Sequence, residues 1–312
     1  MSLSEQFTGV SVHGDALLTI GVFDGVHRGH QALIGRLREE ASRRGLLAVV
    51  LTFSNHPRIV LGNGGDMGCI TSVRTRKRLL EETGVDQVIM VPFTLELART
   101  PAREFVSLLS DRLRMRGLVV GPNFALGRNR EGDVSMLTAL GRETGFEVLV
   151  LQAQTEDGEV ISSSAIRTAI MKGDISKAAV LLGRNFTLEG TVVKGDGRGA
   201  RLGFPTANLR PDPHRVVPGN GIYATWAHVG TGRHPSATSI GVRPTFDAAG
   251  RTIETYIMDF EGDLYGGEIA LEFVQRLRDE IRFDSVEALK AQMGRDVEQA
   301  RQVLLSRRQN IA

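Results

Sequence analysis

Cysteine is nearly missing from this chain: Cys69 stands alone among 312 residues. A single thiol forms neither an internal disulfide nor a cysteine-based metal cluster, so protein-thiol redox chemistry is excluded and Cys69 is expected as a lone buried thiol. Long apolar runs are missing too. No stretch approaches the roughly 20 apolar residues that cross a bilayer, and the opening MSLSEQFTGVSVHGDALL lacks the charged-then-apolar order of a signal peptide. The expectation is a cytoplasmic protein with no membrane partner. A bulk excess of one charge is also absent, the formal net charge being +2. Basic residues alternate with acids in Arg36-Leu37-Arg38-Glu39-Glu40 and Arg276-Leu277-Arg278-Asp279-Glu280, which describes a solvated face and argues against a nucleic-acid partner. Lysine is scarce, 5 against 33 arginines. Arginine is the planar, bidentate partner of phosphate, so the bias leans weakly towards nucleotides, although genome composition also explains it.

What is present is a chain long enough for two domains, with hydrophobic content of 41% and 36 glycines. Short β-branched runs at Leu17–Phe23, Leu46–Phe53, Val88–Pro92, Gly117–Gly121 and Phe146–Leu151 alternate with segments of helical spacing near His30–Arg44, Thr75–Thr83, Ala102–Arg114 and Val134–Thr144. This alternation predicts a parallel sheet covered by helices, with its ligand beyond the carboxyl ends of the strands. Two short helices, Ala165–Met171 and Ile175–Leu182, follow. The period then changes: Thr187–Lys194, Ile222–Val229, Ala237–Gly241, Ile253–Phe260 and Ile269–Arg276 read as strands of an antiparallel sheet or small barrel. A last helix starts at Ser285 as N-cap and carries Leu289, Met293, Val297, Ala300 and Leu304 on one stripe. The expected fold class is α/β, with an N-terminal domain over 1–183 and a C-terminal antiparallel barrel over 184–312.

Gly21-Val22-Phe23-Asp24-Gly25-Val26-His27-Arg28-Gly29-His30 runs from the first strand directly into the first helix. Glycines at 21, 25 and 29 permit close backbone approach, and a helix start offers unpaired N–H groups of positive partial charge, so the segment reads as a phosphate cradle. His27 and His30, three apart, point to one side and would offer N–H donors to charge growing on a phosphoryl group. A metal pair lacks nearby carboxylates or cysteines to complete it. The spacing is neither a dinucleotide fingerprint nor a Walker A loop.

GVFDGVHRGH resembles the H-x-G-H signature of the nucleotidyltransferase superfamily, in the form found in prokaryotic bifunctional riboflavin kinase/FAD synthetases. Thr52-Phe53-Ser54-Asn55-His56-Pro57, Gly121-Pro122-Asn123-Phe124-Ala125-Leu126-Gly127 and Ile161-Ser162-Ser163-Ser164-Ala165-Ile166-Arg167 fit the same family in order. The resemblance implies a Rossmann-like nucleotidyltransferase domain. It also implies that His27 and His30 contact ATP phosphates with Gly21, Phe23, Asp24, Gly25 and Gly29, that Asn123 lines the site, and that Ser162, Ser163, Ser164 and Arg167 clamp the departing pyrophosphate. Read without it, the serines suit an ordinary helix N-cap, and His56 suits a loop histidine beside proline.

A second glycine cluster, Gly195, Gly197, Gly199 and Gly203, lies between Lys194 and Phe204-Pro205-Thr206-Ala207-Asn208. Its amides could wrap phosphates without a Walker lysine, though a glycine-rich hairpin explains the composition equally well. In extended backbone Thr206 and Asn208 share one face and offer oxygen to a hard cation such as Mg²⁺. G-x-x-L-G-F-P-T-A-N resembles the riboflavin kinase signature. That resemblance implies catalysis by Glu254, whose bare reading is a solvent-facing strand carboxylate, and leaves Asp259 as a turn residue. Arg243–Phe246 and Leu264-Tyr265-Gly266 resemble conserved loops of the family.

Together these imply an enzyme with two sites. The C-terminal barrel would phosphorylate riboflavin to FMN, and the N-terminal domain would transfer AMP from ATP to FMN, giving FAD and pyrophosphate, with Mg²⁺ serving both. A monofunctional transferase and a flavin-sensing regulator are the competing readings. Whether the chain forms a homo-oligomer is not decided by its sequence.

Overall fold

The apolar runs between 16 and 150 become five parallel strands in the computed structural model, which describes residues 3–62, 68–242 and 251–308. They are β1 (Ala16–Ile20), β2 (Leu47–Phe53), β3 (Gln87–Val91), β4 (Met115–Val120) and β5 (Glu147–Val150), in the order β3-β2-β1-β4-β5. Burial is complete along β1, whose residues lie at 0–6% exposure, as a central strand covered on both faces requires. The covering helices include α1 (Arg28–Arg44), α2 (Val73–Glu81), α3 (Ala102–Leu113) and α4 (Val134–Thr144). Strand order reverses at β1, so a crevice between the carboxyl ends of β1 and β4 is the topological switch point where such sheets hold ligands.

Two boundaries differ from the periodicity. β1 stops at Ile20 rather than Phe23, because Phe23 has φ +51° and cannot continue a strand. Helix α1 begins at Arg28 rather than His30, because the His27 side chain caps it: Nδ1 accepts from the His30 N–H at 3.3 Å.

The chain folds as two units, Met1–Ser163 and Ser164–Ala312. This packing division falls earlier than residue 183. Helix α5 (Ser163–Met171) straddles this division, and α6 (Ile175–Leu182) packs on the barrel strands that follow it.

Those strands are β6 (Phe186–Val193), β7 (Thr206–Pro211), β8 (Gly221–Val229), β9 (Gly232–Val242), β10 (Arg251–Ile257) and β11 (Glu268–Arg278), closed into an antiparallel barrel in the order β6-β7-β10-β9-β8-β11. Closure removes every sheet edge. Tyr223, Phe273, Phe186 and Leu271 fill the interior at no more than 1% exposure. On the outer face, Ala224, Trp226, Ala237 and Val274 pack against Ala300 and Leu304 of the last helix, α7 (Val286–Arg308), which Ser285 caps by accepting from the Ala288 N–H at 3.1 Å. Strand β7 lacks β-branched alternation and escapes periodicity. Cys69 is only half-buried rather than buried. The Arg243–Phe246 loop lies outside the described residues.

Candidate active sites

At the carboxyl end of β1 the backbone is held in a conformation that L-residues resist. Phe23 (φ +51°), Gly25 (+85°) and Val26 (+40°) all have positive φ, and for a β-branched valine this costs of order 1–3 kcal/mol. Several bonds hold the turn against that strain. The Asp24 carboxylate, 2% exposed, accepts from the backbone N–H of Ile70 at 2.9 Å and of Thr71 at 3.1 Å. Thr71 Oγ1 accepts from the Gly25 N–H at 3.1 Å, and the Asp24 carbonyl accepts from Ser163 Oγ at 2.9 Å. Asp24 thus shapes the loop through its carboxylate, which points into backbone amides.

The two histidines are stacked, with ring centroids 3.5 Å apart and planes inclined by 18°. Because His27 Nδ1 accepts the capping bond, its proton is assigned to Nε2, which makes Nε2–H the donor. Phe23 packs edge-on to His30 at 5.1 Å, and a Cβ on Gly21 would come within 3.1 Å of the Phe23 ring. A Cβ on Gly29 would likewise stand 3.2 Å from His27 Nδ1, close enough that the ring would have to give by a few tenths of an ångström. The ring of His30 buries Nδ1 without a hydrogen-bond partner. Burial first, and the neighbouring His27 second, push its pKa well below the usual 6.5.

That depression has a measurable consequence. The native state keeps His30 neutral at a pH where the unfolded chain already binds a proton, so its contribution to stability is present above the ordinary imidazole value and drains as pH falls below it. Urea unfolding followed between pH 7.5 and pH 5 should show stability declining through about pH 6.5 and below. The decline should be shallower in His30→Gln; equal slopes for the two proteins would contradict the assignment.

Asn123 is exposed in the turn leaving β4, where its carbonyl accepts from Arg130 at 3.0 Å. Ser163 joins the histidine turn through its bond to the Asp24 carbonyl, and Ser162 precedes it in the chain. Ser164 and Arg167 lie on α5 in the second unit, Arg167 at 6% exposure. At the end of β2, Asn55 both donates to and accepts from the Phe93 backbone, at 2.9 and 2.7 Å, and His56 caps the short helix Pro57–Val60.

In the second unit, a cavity of about 380 Å³ opens between the outer face of the barrel and α7. Antiparallel register puts Asn208 opposite Glu254, Glu254 opposite Ser239, and Thr206 opposite Tyr256, so these side chains share the cavity-facing surface. Thr206 Oγ1 lies 3.5 Å from Glu254 Oε2. The glycine segment is not an open loop: Arg198–Arg201 form one helical turn between Gly197 (φ +65°) and Gly203 (φ +90°). Gly195 and Gly199 are required by contact instead. A Cβ on Gly195 would fall 2.2 Å from the Asn208 amide, and one on Gly199 would fall 2.3 Å from the Phe204 carbonyl and 3.0 Å from Thr206 Oγ1. The threonine and asparagine therefore face the glycines. Thr206 and Asn208 offer hard oxygen donors of the kind that suits Mg²⁺, and Glu254 stands beside them on the same surface. Asp259 stands apart, in a turn at φ +54°, paired with Arg301 at 2.7 Å.

Sequence reasoning missed the roof of this cavity. Ile281, Phe283, Leu289, Met293 and Val297 line it, and Asp296 anchors α7 by accepting from Arg278 Nε at 2.8 Å. The apolar stripe of α7 was visible, but a stripe that lines a cavity looks the same as one that fills a core.

A family model described as FAD synthetase matches residues 10–165, and one described as riboflavin kinase matches residues 182–304. A bifunctional riboflavin kinase/FMN adenylyltransferase of Escherichia coli (strain K12) is 40% identical over 289 residues, 92% of each chain. Its counterpart in Listeria monocytogenes is 37% identical over 289 residues, 91% of each. A crystal structure described as a macrolide-efflux protein from Streptococcus pneumoniae superposes with a TM-score of 0.86 at 29% identity, covering 94% of this chain and 96% of that one. Among the described residues no helix is long and apolar enough to cross a membrane.

Proposed function

Since this chain belongs to the bifunctional riboflavin kinase/FMN adenylyltransferase family, we propose that the residues gathered in its two units divide the two reactions between them. The chain phosphorylates riboflavin to FMN with ATP and then transfers AMP from a second ATP to FMN, giving FAD and pyrophosphate. We assign adenylyl transfer to residues 1–183 and phosphorylation to residues 184–312.

The observation that carries this division is the different use of a carboxylate in the two places. An alcohol must lose a proton to become a nucleophile, whereas the FMN phosphate is already ionised. Glu254 stands on the cavity wall beside Thr206 and Asn208, in position to accept the proton of the terminal ribityl hydroxyl. Asp24, by contrast, turns its carboxylate into the Ile70 and Thr71 amides, and beside it stand two stacked imidazoles, of which His30 has its pKa pushed well below the usual value by burial. His27 and His30, with the start of α1 behind them, donate to oxygens of the α-phosphate as charge builds on it. Gly21, Phe23, Gly25 and Gly29 hold that geometry, and Ser162, Ser163 and Asn123 complete the phosphate contacts. Ser164 and Arg167 are carried in the proposal by their motif alone.

In the kinase cavity, Gly195, Gly197, Gly199 and Gly203 cradle the ATP phosphates. Thr206 and Asn208 would hold Mg²⁺, whose charge would offset that of the β- and γ-phosphates. The proposal places the enzyme in the cytoplasm, acting on small molecules without a nucleic-acid partner.

Incubating the intact protein with riboflavin and ATP, with and without Mg²⁺, and separating the flavins by chromatography tests this reading. With Mg²⁺, FMN should form first and FAD after it. With the cation chelated, both should fall by at least about a hundredfold, the scale of losing metal neutralisation of transferring phosphates. Full activity in chelator would remove the cation from both sites.

A further inference from the structure

A second carboxylate faces the kinase cavity, and no role in the reaction above uses it. Glu280 follows β11 and lines the same cavity as Glu254. It is seated on a glycine: a Cβ on Gly241 would fall 2.0 Å from Glu280 Oε1 and 2.8 Å from Cδ, so a side chain at 241 would force the carboxylate to shift from this place. On β9, Gly241 lies two residues beyond Ser239, which is the partner of Glu254, and therefore on the same face. At ~3.4 Å per residue the two positions are separated by about 7 Å along the strand. The nearby cations have other partners. Arg278 is paired with Asp296, and Arg251, which feels the charge of Glu280, donates to Asn220 Oδ1 at 3.0 Å and to the Val217 carbonyl at 3.3 Å.

A carboxylate accepts hydrogen bonds, so this position suits a ligand that carries donors further along the strand direction than the group facing Glu254. Riboflavin's side chain carries such donors, since its hydroxyls continue inward from the terminal one. We propose that Glu280 is a specificity-determining residue of the kinase reaction, accepting hydrogen bonds from the inner ribityl hydroxyls while Glu254 serves the terminal one. The inference rests on the reading that riboflavin occupies this cavity.

The test compares two substrates in the intact protein: riboflavin, and a flavin whose side chain is a plain 5-hydroxypentyl group, which keeps the reacting hydroxyl and lacks the inner ones. The wild-type protein should prefer riboflavin in kcat/KM by about tenfold or more, the scale of a hydrogen bond to a charged group. Glu280→Ala should bring that ratio close to unity by slowing riboflavin alone. Gly241→Ala should do the same with Glu280 still present, and Glu280→Gln, which retains one acceptor oxygen, should recover part of the preference. Turnover of the hydroxypentyl flavin reports folded protein in every variant. A ratio unchanged in Glu280→Ala and Gly241→Ala, or no preference in the wild type, would overturn the assignment. Failure of the underlying site reading would show differently, as Glu254→Gln with undiminished FMN formation.

Discussion

Glu254→Gln is expected to lower riboflavin phosphorylation about 10³-fold while leaving FAD formation from supplied FMN at the wild-type rate. The substitution keeps the size and the hydrogen-bonding reach of the side chain but removes its ability to take a proton. KM for riboflavin should change little, because the lost interaction belongs to the transition state. Asp259→Asn is the matching control: its carboxylate is engaged by Arg301 in a turn away from the cavity, and FMN formation should persist. Initial rates of both reactions on one preparation, read as separated flavins, decide the matter. If both activities fall together, the division of labour between the two units is wrong.

His30→Ala is expected to produce the opposite phenotype, with FMN accumulating and FAD formation falling about 10²–10³-fold, the loss typical of one donor to a developing oxyanion. The change also removes the ring stacked on His27 and packed against Phe23, so some of the loss will come from a looser turn. His30→Gln separates the two contributions, since an amide restores an N–H donor near the same place without restoring the stacked ring. Recovery of rate in Gln over Ala supports donation to the phosphate. FAD production unimpaired in His30→Ala would take this histidine out of the mechanism.

The segments that build the candidate sites could be read before any coordinates, because they are short and lie at strand ends. Residues 21–30 follow β1 and residues 121–127 follow β4, and a parallel sheet puts those carboxyl ends on one edge whatever its details. Thr206 and Asn208 are two apart, and extended backbone alone sets them on one face. Other features had no local signal. The strain at Val26 is tolerated because Ile70 and Thr71, some 46 residues away, hold Asp24. The helical turn at Arg198–Arg201 arises from two left-handed glycines that a composition count cannot tell from loop glycines.

By itself, then, the chain's order of residues determined two folding classes in succession and the places of its histidine and glycine motifs, since each depends on periods and spacings of a few residues, whereas the role given to Glu254 comes from the family resemblance. Tertiary structure alone decided that α6 packs on the barrel strands, that burial pushes the His30 pKa down, and that α7 roofs a cavity with Glu280 seated on Gly241. The reason is physical. Hydrogen-bonding period and backbone preference act over a turn or a strand, whereas burial, register and the room left by a missing Cβ exist only once distant segments have packed together.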